Sequence, residues 1–244
     1  MPTAVAADNP MTEHLFKDDS YLRHCDATVL AAADDAIVLD RTVFYALGGG
    51  QPGDTGSLSW DGDSIDVVDT RYGENGEIRH LVAQGSNLPE PGTAVTATLD
   101  WDRRYLHMRM HTALHLLGAV LNFGVTGGNV SATKSRLDFD MEDGVDKDQV
   151  NASLKAMVDG DHAVSCRWIT EDELAANPEL VRTMSVQPPV GAGQIRLLEI
   201  ADIDLQPCGG THLRSTSEVG DIRVGKVEKK GKRNRRVSIL LDQS

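Results

Sequence analysis

The 244-residue sequence predicts an α+β protein with a small N-terminal β-barrel domain followed by a two-layer α/β domain. Three observations carry this. Short β-prone runs, separated by Asp, Gly and Pro clusters, fill the stretch 21–99. At Asp100 the apolar period switches from two to that of a helix. Beyond the helix, strand-like and helix-like runs mix, as they do when helices cover one face of a sheet.

The elements follow in order. Residues 1–10 are small and polar and are expected to form a disordered extension. The first domain is expected over 11–100. Its β-prone runs are Ala27-Thr28-Val29-Leu30, Ala36-Ile37-Val38-Leu39, Val67-Val68-Asp69 and the alternating 94–99. Asp61-Gly62-Asp63 and Pro89-Glu90-Pro91-Gly92 are turn chemistry between them. The second domain is expected over 101–244. It opens with a helix over 101–121, free of proline, in which Leu106, Met110, Leu114, Leu117 and Leu121 recur at helical spacing. A strand is expected over 135–140, a helix over 146–157 with Asp146 near its cap, and a short helix over 171–177. Strands return at 195–200, 222–224 and 236–241.

Composition narrows the function classes. No run approaches the roughly 20 apolar residues of a membrane span, and the start lacks the charged and apolar segments of a signal peptide. A cytoplasmic protein without membrane attachment is expected. Three irregularly spaced cysteines suggest no disulfide framework, and Cys25 and Cys166 read as small buried hydrophobes. The net charge is −13, with Asp far outnumbering Glu and Arg outnumbering Lys. That bias fits a surface adapted to high salt, whose signature is an unfolding midpoint that rises with KCl. It also argues against binding nucleic acid through the whole surface.

The strongest chemical signal is a pair of histidine-containing motifs. His111 and His115 lie one turn apart on one face of the 101–121 helix. Far downstream, Cys208-Gly209-Gly210-Thr211-His212 offers a thiolate and an imidazole across a Gly-Gly turn. One thiolate with three imidazoles suits a single Zn²⁺ in tetrahedral coordination. Four protein ligands alone favour a structural ion, because catalytic sites keep a position open. The spacing is similar to the H-E-x-x-H protease helix, but Thr112 stands where that helix needs its general base. His107 reads as a satisfied histidine on the helix surface.

Two further segments stand out. Gly48-Gly49-Gly50-Gln51-Pro52-Gly53 matches G-x-G-x-x-G, but a turn and a strand follow it where a dinucleotide site needs a helix. No nucleotide cofactor is expected. The glycines let another backbone approach closely, and Gln51 offers an amide to a water or a sugar hydroxyl. Near the C-terminus, Lys226, Lys229, Lys230, Lys232, Arg233, Arg235 and Arg236 crowd into eleven residues, interrupted by one acid, Glu228. The stretch reads either as a solvated charged hairpin or as a phosphate-backbone contact.

The run from Asp40 to Gly56 containing Gly48-Gly49-Gly50-Gln51-Pro52-Gly53-Asp54, the His111-Thr112-Ala113-Leu114-His115 helix, the Cys208-to-His212 loop and Asn234-Arg235-Arg236 occur here in the order seen in alanyl-tRNA editing proteins. The sequence resembles that family, the free-standing relatives of the alanyl-tRNA synthetase editing domain, from about Met11 to Leu241. Ala46 departs from a proline usual in the family. The resemblance implies a trans-acting hydrolase of seryl-tRNA(Ala), and of glycyl-tRNA(Ala), with His111, His115, Cys208 and His212 holding one zinc per chain. It also implies a glycine loop carried on the barrel domain. Rejecting alanine requires polar groups that face the serine hydroxyl. Gln51 and Thr112 are the candidate catalytic residues. Gly48, Gly49, Gly50, Thr126, Asn129 and Ser131 are the candidate substrate-binding residues, and the seven basic residues are the candidate tRNA contacts. The competing class is a non-enzymatic, zinc-stabilised RNA-binding protein. A deacylase for another aminoacyl-tRNA is a third reading.

Overall fold

The structure, a computed structural model, describes residues 12–181 and 193–242. The expected 1–10 extension lies outside them. The chain divides into two compact units, residues Met1–Leu47 with Gly53–Trp101, and residues Gly48–Pro52 with Asp102–Ser244.

The first unit is all β. Its strands are β1 (Glu13–His14), β2 (His24–Ala33), β3 (Ala36–Leu39), β4 (Arg41–Thr42), β5 (Gly56–Trp60), β6 (Asp63–Tyr72), β7 (Ile78–Val82) and β8 (Ala94–Leu99). Six of them close into a barrel in the order β2-β3-β7-β6-β5-β8, as the sequence predicts for this region. The period-two pattern of β8 explains its place: Val95, Ala97 and Leu99 are buried and the residues between them face outward. They join Val29, Ile37, Leu39, Phe44, Leu58 and Val67 in one apolar core. Asp61 and Gly62, both at positive φ, make the two-residue turn between β5 and β6. Among the polar side chains in this unit's interior is a histidine. His80 is fully buried, with Nε2 2.8 Å from Thr42 Oγ1 and Nδ1 3.0 Å from the Ile37 carbonyl. Burial lowers its pKa to about 4, against the partial rescue of the Ile37 bond.

The second unit mixes helices and two sheets. Helix α1 spans Trp101–Leu121, the bounds the periodicity predicts. It is not the one-sided amphipathic helix of a surface, however, because every residue from Met110 to Gly118 is buried. His107, expected on the helix surface, is buried too. After it come β9 (Val125–Asn129), β10 (Lys134–Asp140), α2 (Lys147–Asp159), β11 (Val164–Thr170), α3 (Glu171–Ala176), β12 (Gln194–Ile200), β13 (Asp204–Pro207), β14 (Ile222–Gly231) and β15 (Asn234–Leu241). Asp146 caps α2 by accepting from the Asp148 and Gln149 amides. Thr170 and Glu173 form a capping box on α3. One sheet runs β14-β15-β10-β9 and the other β11-β12-β13. One face of the three-stranded sheet packs Ile169, Ile195 and Leu197 against Leu174, Leu180 and Leu205. Cys25 is half-buried against the barrel core, but Cys166 on β11 is exposed, contrary to the expectation of a buried hydrophobe. It lies on β11, an edge strand of the three-stranded sheet.

Candidate metal centre

Helix α1 brings His111 and His115 to one face, and the loop after β13 brings Cys208 and His212 against them. The four ligand atoms lie within 4.8 Å of one another. The imidazole centroids are 4.3 Å apart for His111 and His212, 4.9 Å for His115 and His212, and 5.4 Å for His111 and His115. The Cys208 sulfur stands 3.1 Å from His212 Nε2 and 3.7 Å from His111 Nε2. A tetrahedral zinc with ordinary Zn–N and Zn–S lengths needs donors about 3.3–3.7 Å apart, so the edge to His111 fits and the edge to His212 is a few tenths of an ångström short.

The Nδ1 atoms explain why the rings present Nε2 inward. His111 Nδ1 donates to Gln51 Oε1 at 2.8 Å. His115 Nδ1 donates to Asp204 Oδ2 at 3.0 Å, and the Gln206 amide donates to the same oxygen at 2.5 Å. His212 Nδ1 lies 3.3 Å from Thr112 Oγ1, which also accepts from the Leu213 amide. The acceptor-only oxygens of Gln51 and Asp204 thereby fix the His111 and His115 tautomers, and the Thr112 hydroxyl holds the orientation of His212, as metal-ligating histidines require.

The charges fit a dication. Burial alone would raise the Cys208 thiol, but the neighbouring His111 and His212 imidazoles hold it well below its usual range, as a thiolate. Burial works against charge on His115, yet its hydrogen bonds to Asp204 and Cys208 prevail and lift it to about 9. Burial lowers His212 to about 3. Asp204 and Cys208 place two negative charges in a buried site; without an ion a proton on His115 offsets one of them, and a divalent cation that displaces that proton would balance both.

The loop is built for this approach. The Arg196 guanidinium on β12 donates to the Cys208 and Gly210 carbonyls at 3.0 and 2.8 Å, and the Cys208 amide donates back to the Arg196 carbonyl. A Cβ on Gly210 would lie 2.3 Å from His111 Cε1, so only glycine fits there. Gly49 and Gly50, at φ +54° and +82°, form the tight turn that closes Gly48 onto Gln51 through reciprocal backbone bonds of 3.1 and 2.9 Å. Residues Gly48–Pro52 group with the second unit, although the chain on both sides of them belongs to the barrel. The Val130 amide donates to the Gly50 carbonyl at 2.8 Å.

The structure redistributes the other candidate residues. Gln51 is buried, and its amide is spent on His111 and on Thr211, which it meets at 2.9 and 3.2 Å. It supports a ligand where a contact to water or a sugar hydroxyl was expected. Thr112 lies fully buried behind His212. Thr126 and Ser131 direct their hydroxyls to the Asp138 and Lys134 carbonyls. Asn129 is exposed at the end of β9.

The basic residues form the β14–β15 hairpin. Arg236 makes a two-pronged pair with Asp138 at 2.8 Å, Arg233 pairs with Asp140, and Lys226 and Lys230 flank Glu228. Arg235 is buried and donates to the carbonyls of Gly231 and Glu142. Lys229 and Lys232 make no ion pair among the described residues. Asp204, Gln206 and Arg196 escaped the sequence reading. The first two had a signal, because Asp204, Gln206 and Cys208 alternate along one face of β13.

Two family models match. Residues 12–103 match the one described as tRNA synthetases class II (A), and residues 195–238 the threonyl and alanyl tRNA synthetase second additional domain. The alanyl-tRNA editing protein AlaX-M of Saccharolobus solfataricus is 36% identical over 235 residues, covering 93% of this chain and 98% of that protein. AlaX-M of Methanosarcina acetivorans is 36% identical over 95% of this chain and 99% of its own length. The alanine–tRNA ligase of Pyrobaculum aerophilum is 34% identical over 93% of this chain, which covers 26% of that ligase. With its barrel, its histidine–cysteine centre and relatives matched end to end, the chain belongs to the family of alanyl-tRNA editing proteins.

Proposed function

We propose that this chain is a trans-editing hydrolase that deacylates seryl-tRNA(Ala), and glycyl-tRNA(Ala), at a zinc-dependent site in the cytoplasm. The observation that carries the reading is the centre itself: three imidazoles and one thiolate converge, each imidazole braced through its far nitrogen. His111, His115, Cys208 and His212 would hold one Zn²⁺. When bound, the ion supplies Lewis acidity and orientation beside the ester.

The reaction splits the bond between the acyl carbon and the terminal ribose oxygen. Water gives its hydroxyl to the acyl group and a proton to the ribose. The ester is already activated, so the protein's main task is selection. A site that hydrogen-bonds the serine hydroxyl rejects alanine by roughly 10⁴–10⁵-fold, which an apolar pocket cannot do; glycine also lacks that hydroxyl, so it is the weaker of the two substrates on this account. Thr112, whose hydroxyl lies 3.3 Å from His212 Nδ1, is the candidate for the serine-hydroxyl contact on this reading. Gln51 keeps His111 oriented, and Lys229 and Lys232 offer positive charge to phosphate. His212 has the longest supporting bond of the three histidines, which makes it the ligand most easily displaced as substrate enters.

The test is to incubate purified protein with Ser-, Gly- and Ala-tRNA(Ala) and follow amino-acid release. Release from the first two and not the third is expected, and Cys208→Ala should lose both zinc and activity. Full activity in zinc-free protein would refute the site. A zinc-stabilised RNA-binding protein would instead unfold on metal removal, with no deacylation beforehand.

A further inference from the structure

Strand β11 is an edge of the three-stranded sheet, and it carries an exposed tryptophan. Trp168 pairs with Arg196 on β12, and Arg196 stands across from Cys208 at the end of β13. Paired residues project to the same face, so Trp168, Arg196 and Cys208 form one row across the sheet. Two strand spacings put the tryptophan about 10 Å from the metal ligand. Cys166, two residues earlier on the same face, is near enough to feel the charges of Arg196 and Cys208.

The row changes character along its length. Arg196 is buried and anchored to the Cys208 and Gly210 carbonyls, whereas Trp168 is 42% exposed. The opposite face is already filled by the Ile169, Ile195 and Leu197 cluster, so the indole has no interior to turn into. In the second unit the other exposed large apolar side chain among the described residues is Phe123, beyond the end of α1. A large exposed indole on an edge strand is a liability unless something covers it.

We propose that Trp168 is the stacking platform for the unpaired terminal nucleobase of the RNA whose ester is hydrolysed at the metal centre. This rests on the function proposed above. The chemistry fixes the distance. The ester and the base hang from the same ribose, so a base partner must stand one sugar's width from the reacting carbonyl, plus one stacking gap. Trp168 stands in that zone, on the sheet that also carries a ligand. An indole face accepts any base and binds it without hydrogen-bond readout. It would be a positioning residue: it sets where the ribose lies, and Cys208 and the histidines face what the ribose carries.

Two arms test this. In the kinetic arm, Trp168→Ala should raise KM for Ser-tRNA(Ala) about 5- to 100-fold while Trp168→Phe stays within about threefold, because base–aromatic stacking has that range. Zinc content and kcat should barely change in either variant. In the binding arm, Trp60→Phe and Trp101→Phe leave Trp168 as the sole indole. Its fluorescence should be quenched saturably by a short RNA with an unpaired 3′ adenosine, and not by the same RNA ending in an abasic ribose. Unchanged KM in Trp168→Ala, or equal quenching by both RNAs, overturns the platform. A dimer of the wild type that dissociates in Trp168→Ala, with KM unmoved, overturns it in favour of a second copy on the edge strand. If the wild type deacylates no mischarged tRNA, the function proposed above fails, and the quenching arm still decides for or against the stacking.

Discussion

Gly210→Ala isolates the packing that assembles the centre. The added Cβ would lie 2.3 Å from His111 Cε1, 2.5 Å from its Nδ1 and 2.9 Å from Gln51 Oε1. Carbon–carbon contacts settle at about 3.5–4.0 Å, so ring and loop must separate by more than 1 Å. Neither side yields freely. His111 sits mid-helix with its Nδ1 bound at 2.8 Å, and the Gly210 carbonyl is held by Arg196 at 2.8 Å. Ligand distances tolerate only about 0.2 Å, so a displacement of this size should remove or strain one ligand. Loss of a bracing contact lowers metal affinity about 10- to 100-fold, and a 1 Å misplacement costs about 100-fold in rate. Competition with a chromophoric zinc chelator measures the first and single-turnover deacylation the second. Gly209→Ala is the internal control, because a Cβ there meets no atom within 4 Å. A Gly210→Ala protein that binds zinc within threefold of wild type would refute the reasoning, as would a Gly209→Ala protein that is equally impaired.

Asp204→Asn should also lower zinc affinity about 10- to 100-fold, since it removes the buried carboxylate that braces His115; chelator competition across pH 6–8 reads this out, and an unchanged affinity would show the brace to be dispensable. The barrel should weaken in acid through His80. Its folded pKa of about 4 lies below the unfolded 6.5, so the unfolded chain binds the proton more tightly. Stability is then full above about pH 6.5 and falls as pH drops towards 4, by up to about 3 kcal/mol. Urea midpoints measured over this range should flatten in His80→Gln, and identical slopes in both proteins would discard His80 as the cause. Replacing Lys229 and Lys232 with Ala should weaken tRNA binding and reduce the slope of log affinity against log salt by about one to two. Arg235→Ala should instead lower the melting temperature, because that guanidinium is spent on backbone carbonyls.

What was legible in the sequence followed from local rules. The bounds of α1 emerge from an unbroken helical period, the cap of α2 from Asp146, and β8 from strict alternation. The ligand set emerged because two pairs of metal-binding residue types are rare in one chain. What was hidden depended on tertiary pairing. β9 is Val-Thr-Gly-Gly-Asn, with three residues that disfavour strands, and β13 is four residues ending in proline. Both are strands because their neighbours complete the ladder. The role of Gln51 was hidden for the same reason: its partners lie 60 and 160 residues away, and no local pattern announces them. The basic stretch read as one class of residue, whereas the structure divides it into arginines committed to Asp138, Asp140 and backbone carbonyls and lysines that stay exposed.

The five residues Gly48–Pro52 carry a consequence for how this protein can be cut, permuted or assembled. The metal-binding unit is not a continuous stretch of chain. A fragment that begins at Asp102 retains every metal ligand but lacks Gln51, and with it the acceptor that fixes the His111 tautomer. The barrel is thus more than a neighbour in sequence. By ordering residues 53–101 it shortens the effective tether between Gln51 and α1, and much of the entropy of closing that loop is lost when the barrel folds. Separate inheritance of the two units would require a second source of that amide.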